Sequence, residues 1–342
     1  MFLKVLSKYV SFALTLANFT AISHVESGEL NLNYPDLPKP ITSFGAVKLE
    51  NFLYIYGGHS GKAHSYSVDT TLNSFHRLCL KSPTQWESLP SGVRAQGTSL
   101  VAYQGSIYRI GGLTILNEEK VDIDEDDDEP SSASLQSIND FARYQPDNNE
   151  WHQLPPLPEP RSSHDSVVVG HHLYVLGGWN LAGNTETGQW FDTMFVADLS
   201  AEKINWVSVP QPFRRRAIAV SAHNGQIFAI GGMDSEGDTS NKLHIFNVSE
   251  ENWRQGPSLP NGPMKGFGAA ACTTGNQLLV SHYAGTLLAL SGDQSEWLPL
   301  SELKPRRFFH RMVAGSQKSV LIIGGANRVD GHLGSVKKLT WK

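Results

Sequence analysis

The chain has 342 residues, 40% of them hydrophobic, which is enough to bury a large core, and it carries 31 glycines and 18 prolines. That content suits many turns, and no long segment of 3.6-residue period follows the first thirty residues, so a helix-rich fold is not expected. The formal net charge is −5 and its acidity sits mainly in one run, so the near-neutral remainder argues against a nucleic-acid partner.

Residues 1–23 stand apart. Lys4 and Lys8 precede any acid, residues 10–22 are mostly apolar, and Ala21 and Ser23 are small residues at the two positions a signal peptidase reads. The segment is short for a membrane span. We read it as a secretory signal, with a retained anchor as the alternative. The remainder, 24–342, is then one exported domain: periplasmic, secreted or on the cell surface. Removing the two lysines leaves about −7.

Next, Leu37-Pro38-Lys39-Pro40-Ile41 matches Leu157-Pro158-Glu159-Pro160-Arg161 further on. The chain thus begins where later units finish, with an outermost strand. It ends at Trp341-Lys342, where such a strand is due. The first segment is therefore expected to complete the last sheet, which removes an exposed sheet edge.

Between these ends one phrase recurs. Tyr54-Ile55-Tyr56-Gly57-Gly58, Tyr108-Arg109-Ile110-Gly111-Gly112, Leu173-Tyr174-Val175-Leu176-Gly177-Gly178, Phe228-Ala229-Ile230-Gly231-Gly232 and Leu321-Ile322-Ile323-Gly324-Gly325 are apolar runs closed by two glycines. A worn copy reads Leu278-Leu279-Val280-Ser281-His282-Tyr283. Each reads as a buried strand followed by a tight turn. Trp86, Trp151, Trp206, Trp253, Trp297 and Trp341 follow the copies in phase, and most are followed by a proline and then a basic residue.

This pattern resembles the kelch repeat, whose units of about 50 residues build β-propellers. The resemblance covers about residues 30 to 342. It implies an all-β fold, a six-bladed kelch-type propeller with the last blade closed by the N-terminal strand. The units run roughly 41–90, 91–155, 156–210, 211–260, 261–303 and 304–342. The glycines and tryptophans themselves are read as blade packing, so the repeat speaks to fold and little to chemistry.

The second unit is long: 66 residues separate Gly111 from Gly177, against 54 between Gly57 and Gly111. The excess is an insertion at about 113–138. Its run 118–129 holds nine acids and one lysine and is expected to stay solvated. Asp122, Asp124, Asp126 and Asp128 alternate as in a calcium loop, but Asp127 stands where that loop needs glycine and Ala133 where it needs glutamate, so no metal site is expected. Cys79 and Cys272 fall in blades that are not neighbours, and no disulfide is expected.

In kelch propellers the loop before each inner strand and the loop after each glycine pair open on one face. Carried onto this chain, the resemblance places Arg94, Arg161, Arg215 and Arg307 there near the central channel, with His59, Trp179, Asn180, Asp234 and the acidic run. Arg214-Arg215-Arg216 is the densest basic spot. A set of guanidinium groups at a channel mouth receives anions, and Trp179 and Trp190 offer a stacking surface; the plainer reading is that the arginines pair with acids on adjacent blades or cap loop carbonyls, and that the tryptophans are buried loop anchors. His164 and His310 share an Arg-x-x-His spacing with Arg161 and Arg307 and are the catalytic candidates, although a structural role suits them better.

The resemblance also reaches enzymes. For a copper radical oxidase, a seven-bladed relative, the local motifs are absent and Cys272 has no tyrosine partner. A cofactor-free sugar epimerase or mutarotase similar to sialic acid epimerase would hold a carboxylate with the arginines and move protons with histidine or glutamate. The sequence reading is therefore an exported monomeric binding module with no cofactor. Its partner is an extracellular or periplasmic protein or an anionic or sugar ligand, not nucleic acid, and no membrane contact is expected beyond the signal segment. The epimerase is the alternative.

Overall fold

A computed structural model describes residues 30–63, 65–116, 134–183, 188–315 and 318–341. The expected signal segment and the acidic run 118–129, with its calcium reading, lie outside the described residues.

The five glycine-closed runs and the worn copy become the second strands of six antiparallel sheets: Phe52–Tyr56, Ser106–Ile115, His172–Asn180, Gln226–Ile230, Gln277–Ser281 and Ser319–Ile323. Their apolar residues are covered on both faces, which is why they read as continuous runs rather than as alternation. The inner strands are Gly45–Leu49, Ser99–Tyr103, Ser162–Val169, Ala219–His223, Ala270–Thr274 and Arg311–Ala314. Each packs beside the next around one axis, and the sixth packs beside the first. The fold is a six-bladed kelch-type β-propeller. Its core is divided among six apolar clusters, one in each joint between adjacent blades.

The ring closes as the sequence reading expects. Strand Leu30–Asn33 pairs with Val336–Thr340 and supplies the outer strand of the sixth blade. Tryptophans tie successive blades. The Nε1 groups of Trp86, Trp151, Trp206, Trp253 and Trp297 donate to the carbonyls of Pro35, Pro90, Pro155, Pro210 and Pro257 at 2.9–3.2 Å. Each acceptor lies at the exit of the preceding blade, so Trp86 ties the first blade to the sixth. Trp341 corrects the expected phase. It directly follows the third strand of its blade, because the outer strand there comes from Leu30–Asn33.

The glycine pairs dock each blade on the loop entering the next. The second glycine of each pair donates to that loop: Gly58 to Ala95 O, Gly112 to Arg161 O, Gly178 to Arg215 O, Gly232 to Gly266 O and Gly325 to Ile41 O, at 2.8–3.0 Å. Gly231 shows why the first must be glycine. Its φ is +66°, and a Cβ would lie 2.2 Å from the Gly266 carbonyl oxygen. In the fifth blade Ala270 pairs with Ser281 as Ala219 pairs with Ile230, so His282 and Tyr283 occupy the glycine places.

A second closure runs round the axis. Ser43, Gly97, Ser163, Ala217, Gly268 and Phe309, one per blade, all have φ between +51° and +66°. The N–H of each donates to the carbonyl of its predecessor, and Ser43 donates to Phe309, at 2.6–3.4 Å throughout. The mouth of the channel is thus rimmed by a continuous belt of six backbone hydrogen bonds.

Within the long second unit, residues 113–115 and 135–138 extend the two middle strands beyond the glycine pair. Leu113, Ile115 and Leu135 on this raised hairpin pack with Trp179 and Leu181, and with the half-buried Tyr66, Val68 and Trp190. That seventh cluster belongs to the loop face. Cys79 and Cys272 are both free, on the third strand of the first blade and the inner strand of the fifth. Burial pushes the Cys272 thiol up to about 12.

Candidate functional site

The incoming loops and the loops after the glycine pairs share one face, because they pair with each other. Thr42 bridges His59, Gln96 bridges Leu113, Ser162 pairs Trp179, Arg216 bridges Met233 and Phe308 bridges Ala326. The belt lies at the centre of this face.

Below the belt the channel is pinned. Arg311 and Asp165 each stand two residues past a belt residue, on blades three apart, and their side chains meet across the axis. Arg311 Nη1 lies 3.0 Å from Asp165 Oδ1, Nε donates to Phe44 O at 2.7 Å and Nη2 donates to Thr98 O at 3.1 Å. Asp165 Oδ2 accepts from Val220 N at 3.0 Å. One ion pair thereby joins five blades. Above it remains a cup of about 50 Å³.

The belt also sets the register of the expected arginines. Arg161, Arg215 and Arg307 each stand two residues before a belt residue. The equivalent residues of blades one, two and five are Ile41, Ala95 and Gly266, so Arg94 is not a member of the set. The three arginines lie beneath the face rather than around the channel, with relative exposures of 0%, 4% and 0%. Each donates to the carbonyl of the first glycine of its own blade: Arg161 to Gly177, Arg215 to Gly231 and Arg307 to Gly324. Arg161 also donates to Thr193 O and packs between Phe191 and Phe195, while Arg215 also donates to Lys242 O and to His244 Nδ1. Burial without a bonded carboxylate pulls them down, Arg161 to about 9 and the other two to about 10. Arg94 donates to Val68 O and Thr71 O, within the loop of the first blade. The four guanidinium groups stabilise loops. Their forks are turned to backbone carbonyls, which leaves those buried oxygens satisfied.

The Arg-x-x-His spacing has the same origin. His164 and His310 each follow a belt residue directly, so they come three residues after the clamping arginine. Both are buried behind the belt, at 3% and 2% exposure. His164 Nε2 shares a hydrogen bond with Ser99 Oγ at 3.1 Å. Burial, then Arg161 and Arg311, pull His164 down to about 3; burial, then Arg307, Arg311 and His282, hold His310 well below its usual range. His59 is buried too, with Nε2 2.9 Å from Ser65 O. Asn180 ends its strand, paired with Gln189. Asp234 closes a tight turn, its Oδ1 accepting from Asp238 N at 2.9 Å.

Beside the mouth lies a different set, one residue before the belt: Thr42, Gln96 and Ser162 are buried there, and Arg216, Phe267 and Phe308 are half-buried. Arg216 is held in an aromatic cage. Its guanidinium carbon lies 4.4 Å from the centre of the Trp179 ring, 5.6 Å from Trp190 and 5.8 Å from Phe267. Trp179, expected to stack on a ligand, is therefore stacked on this arginine. From Phe267 a crescent of rings continues: Phe309 at 5.0 Å, Phe308 at 5.3 Å and Tyr283 at 5.3 Å, with Arg328 6.0 Å above Tyr283.

Arg216 was named only as part of the basic run Arg214-Arg215-Arg216, and Arg311, Asp165 and the crescent were not singled out from sequence. Aligning the incoming loops on the small residues Ser43, Gly97, Ser163, Ala217 and Gly268 would have found Arg216, the single charged residue at its position.

A profile described as "KLHDC2/KLHL20/DRC7 Kelch-repeats domain" matches residues 132–325. Kelch-like protein 35 of Mus musculus is 25% identical over 241 residues, covering 70% of this chain and 34% of that protein. Kelch-like protein terF of Aspergillus terreus is 24% identical over 210 residues, covering 61% of this chain and 42% of its own length. This chain spans about a third of the length of the first curated relatives it matches. The solved structure of YjhT superimposes with a TM-score of 0.70 at 16% identity, over 90% of this chain and 97% of YjhT, a likeness of fold.

Proposed function

The chain belongs to the kelch-repeat family, and from that premise we propose that it is a protein-interaction module that binds a partner segment on the loop face around the axis, outside the cytoplasm. The crescent Phe267–Phe309–Phe308–Tyr283 carries this reading. Four half-buried rings lie on loops rather than in a blade joint, flanked by two arginines. Aromatic residues and arginine are the types enriched where proteins bind proteins. Size points the same way. The axial cup holds about 50 Å³, whereas pockets that enclose small organic ligands span roughly 300–1,000 Å³. A sugar ligand or a sugar epimerase gains no support from it. The histidines such an enzyme would use, His164 and His310, line this cup but are almost wholly buried.

Selection of a displayed random-peptide library on the full chain tests the reading. Selected peptides are expected to bind at least about ten-fold more weakly to Phe308→Glu. They should bind unchanged to Val207→Glu, which alters a residue 59% exposed on the outer strand of the third blade. Sensitivity to Val207→Glu alone, or no enriched peptide, would overturn it. So would turnover of sugar anomers that is lost in His310→Ala while sugar binding persists.

A further inference from the structure

We propose that Arg216 is the receptor for one carboxylate of the partner, so that the bound segment carries an aspartate or glutamate next to an apolar side chain seated on the crescent. The inference rests on the interaction reading above and specifies the chemistry of that site.

Three observations carry it. First, Arg216 has no oxygen partner among the described residues. Its recorded polar contact is Nη2 to the Met233 thioether sulfur at 3.5 Å, and its buried Nε has none. Arg161, Arg215 and Arg307 share the unpartnered Nε, but each bonds a backbone carbonyl through another guanidinium nitrogen, and the axial arginine bonds Asp165. Second, the cation is largely removed from water without compensation. Burial lowers its proton affinity, and among the described residues the charge interaction that offsets this comes from Tyr66, not from a carboxylate. A desolvated guanidinium with free edge donors gains most from a planar, anionic acceptor. Third, it is held in place. Its backbone exchanges two hydrogen bonds with Met233, at 2.9 and 3.0 Å, and Trp179 covers one face of its planar group. A fixed guanidinium loses little freedom when it binds. The adjacent Phe267 and Phe309 then place an apolar side chain beside the carboxylate.

The test uses the same library on the full chain. Peptides selected on the wild type are expected to be enriched in aspartate or glutamate beside an aromatic or aliphatic residue. For the best of them, replacing that acid by its amide should weaken binding about ten-fold or more on the wild type and leave it unchanged on Arg216→Met. Arg216→Lys should recover only part of the difference, because lysine lacks the fork and the stacking plane. Binders without acidic enrichment, or an acid-to-amide loss that is equal on wild type and Arg216→Met, would overturn the carboxylate assignment and leave the interaction reading standing. Failure to enrich any peptide would remove both. The acid enrichment is read on the wild type alone, so it holds as a test even if Arg216→Met does not fold.

Discussion

Arg311→Met is expected to destabilise the protein by about 3–5 kcal/mol, the range for removing one partner of a buried ion pair. Three losses combine. Asp165 keeps its bond from Val220 N but loses its cation. Phe44 O and Thr98 O each lose a donor. The tie between the sixth blade and the first three at the axis is also cut. Both side chains are mostly buried, so salt screens the pair little and the loss should persist at 1 M NaCl. Asp165→Asn should cost less, since the amide oxygen can still accept from Val220 N. The double variant Arg311→Met/Asp165→Asn should be more stable than the sum of the single changes predicts, because no unpaired charge is left on the axis. Denaturant midpoints of the four proteins test this. A single-variant loss under about 0.5 kcal/mol would show that the pin contributes nothing.

The second large effect is acid lability that begins well above the carboxylate range. His164 is held down to about 3 and His244 to about 4, and His310 is held well below its usual range. Burial is the first cause at all three; at His244 the neighbouring Arg215 follows. The sign is fixed by linkage. Above pH ~6.5 the three are neutral in folded and unfolded chains alike, and their contribution is level. As pH falls below that value the unfolded chain takes up protons that the folded protein refuses. Stability then falls by up to ~1.4 kcal/mol per pH unit for each histidine, until its folded value is reached. With three acting together, the fall between pH 6.5 and 4 should be steep. His310→Phe isolates one share. The equivalent residue of the first blade is Phe44, fully buried in the same setting, so the substitution suits the site. It should leave stability near pH 7.5 unchanged or improved, since both ring nitrogens of His310 lack partners among the described residues. It should also flatten the pH slope by about one histidine's worth. An unaltered slope would mean that His310 takes up its proton in the folded state.

The fold was legible because its signals are redundant. A glycine pair, a tryptophan and a proline recur in each unit at distances that blade packing dictates, so one worn copy, with His282 and Tyr283 in place of glycine, did not hide the fifth blade. The match between the loops at Leu37 and Leu157 showed in the same way that the N-terminal segment is an outer strand. The site was less legible because it turns on single-residue register. Arg215 and Arg216 are neighbours, yet one clamps a buried carbonyl and the other stands at the mouth, since adjacent residues in extended chain face opposite ways. The left-handed belt residue that sets this register is serine, glycine, alanine or phenylalanine by turns, so composition does not mark it. Arg311 and Asp165 are 146 residues apart and meet only once the ring has closed.

The belt is where that closure is most directly measurable. Amide hydrogen exchange of Ser43, Gly97, Ser163, Ala217, Gly268 and Phe309 would follow each of its bonds. All six are predicted to exchange only through global unfolding, with one common free energy, although they rim an open channel mouth. The longest bond, Ser43 to Phe309 at 3.4 Å, spans the seam between the first and sixth blades. If Ser43 exchanges at loop rates while the other five stay protected, the wheel is open at that seam and the platform described above does not exist.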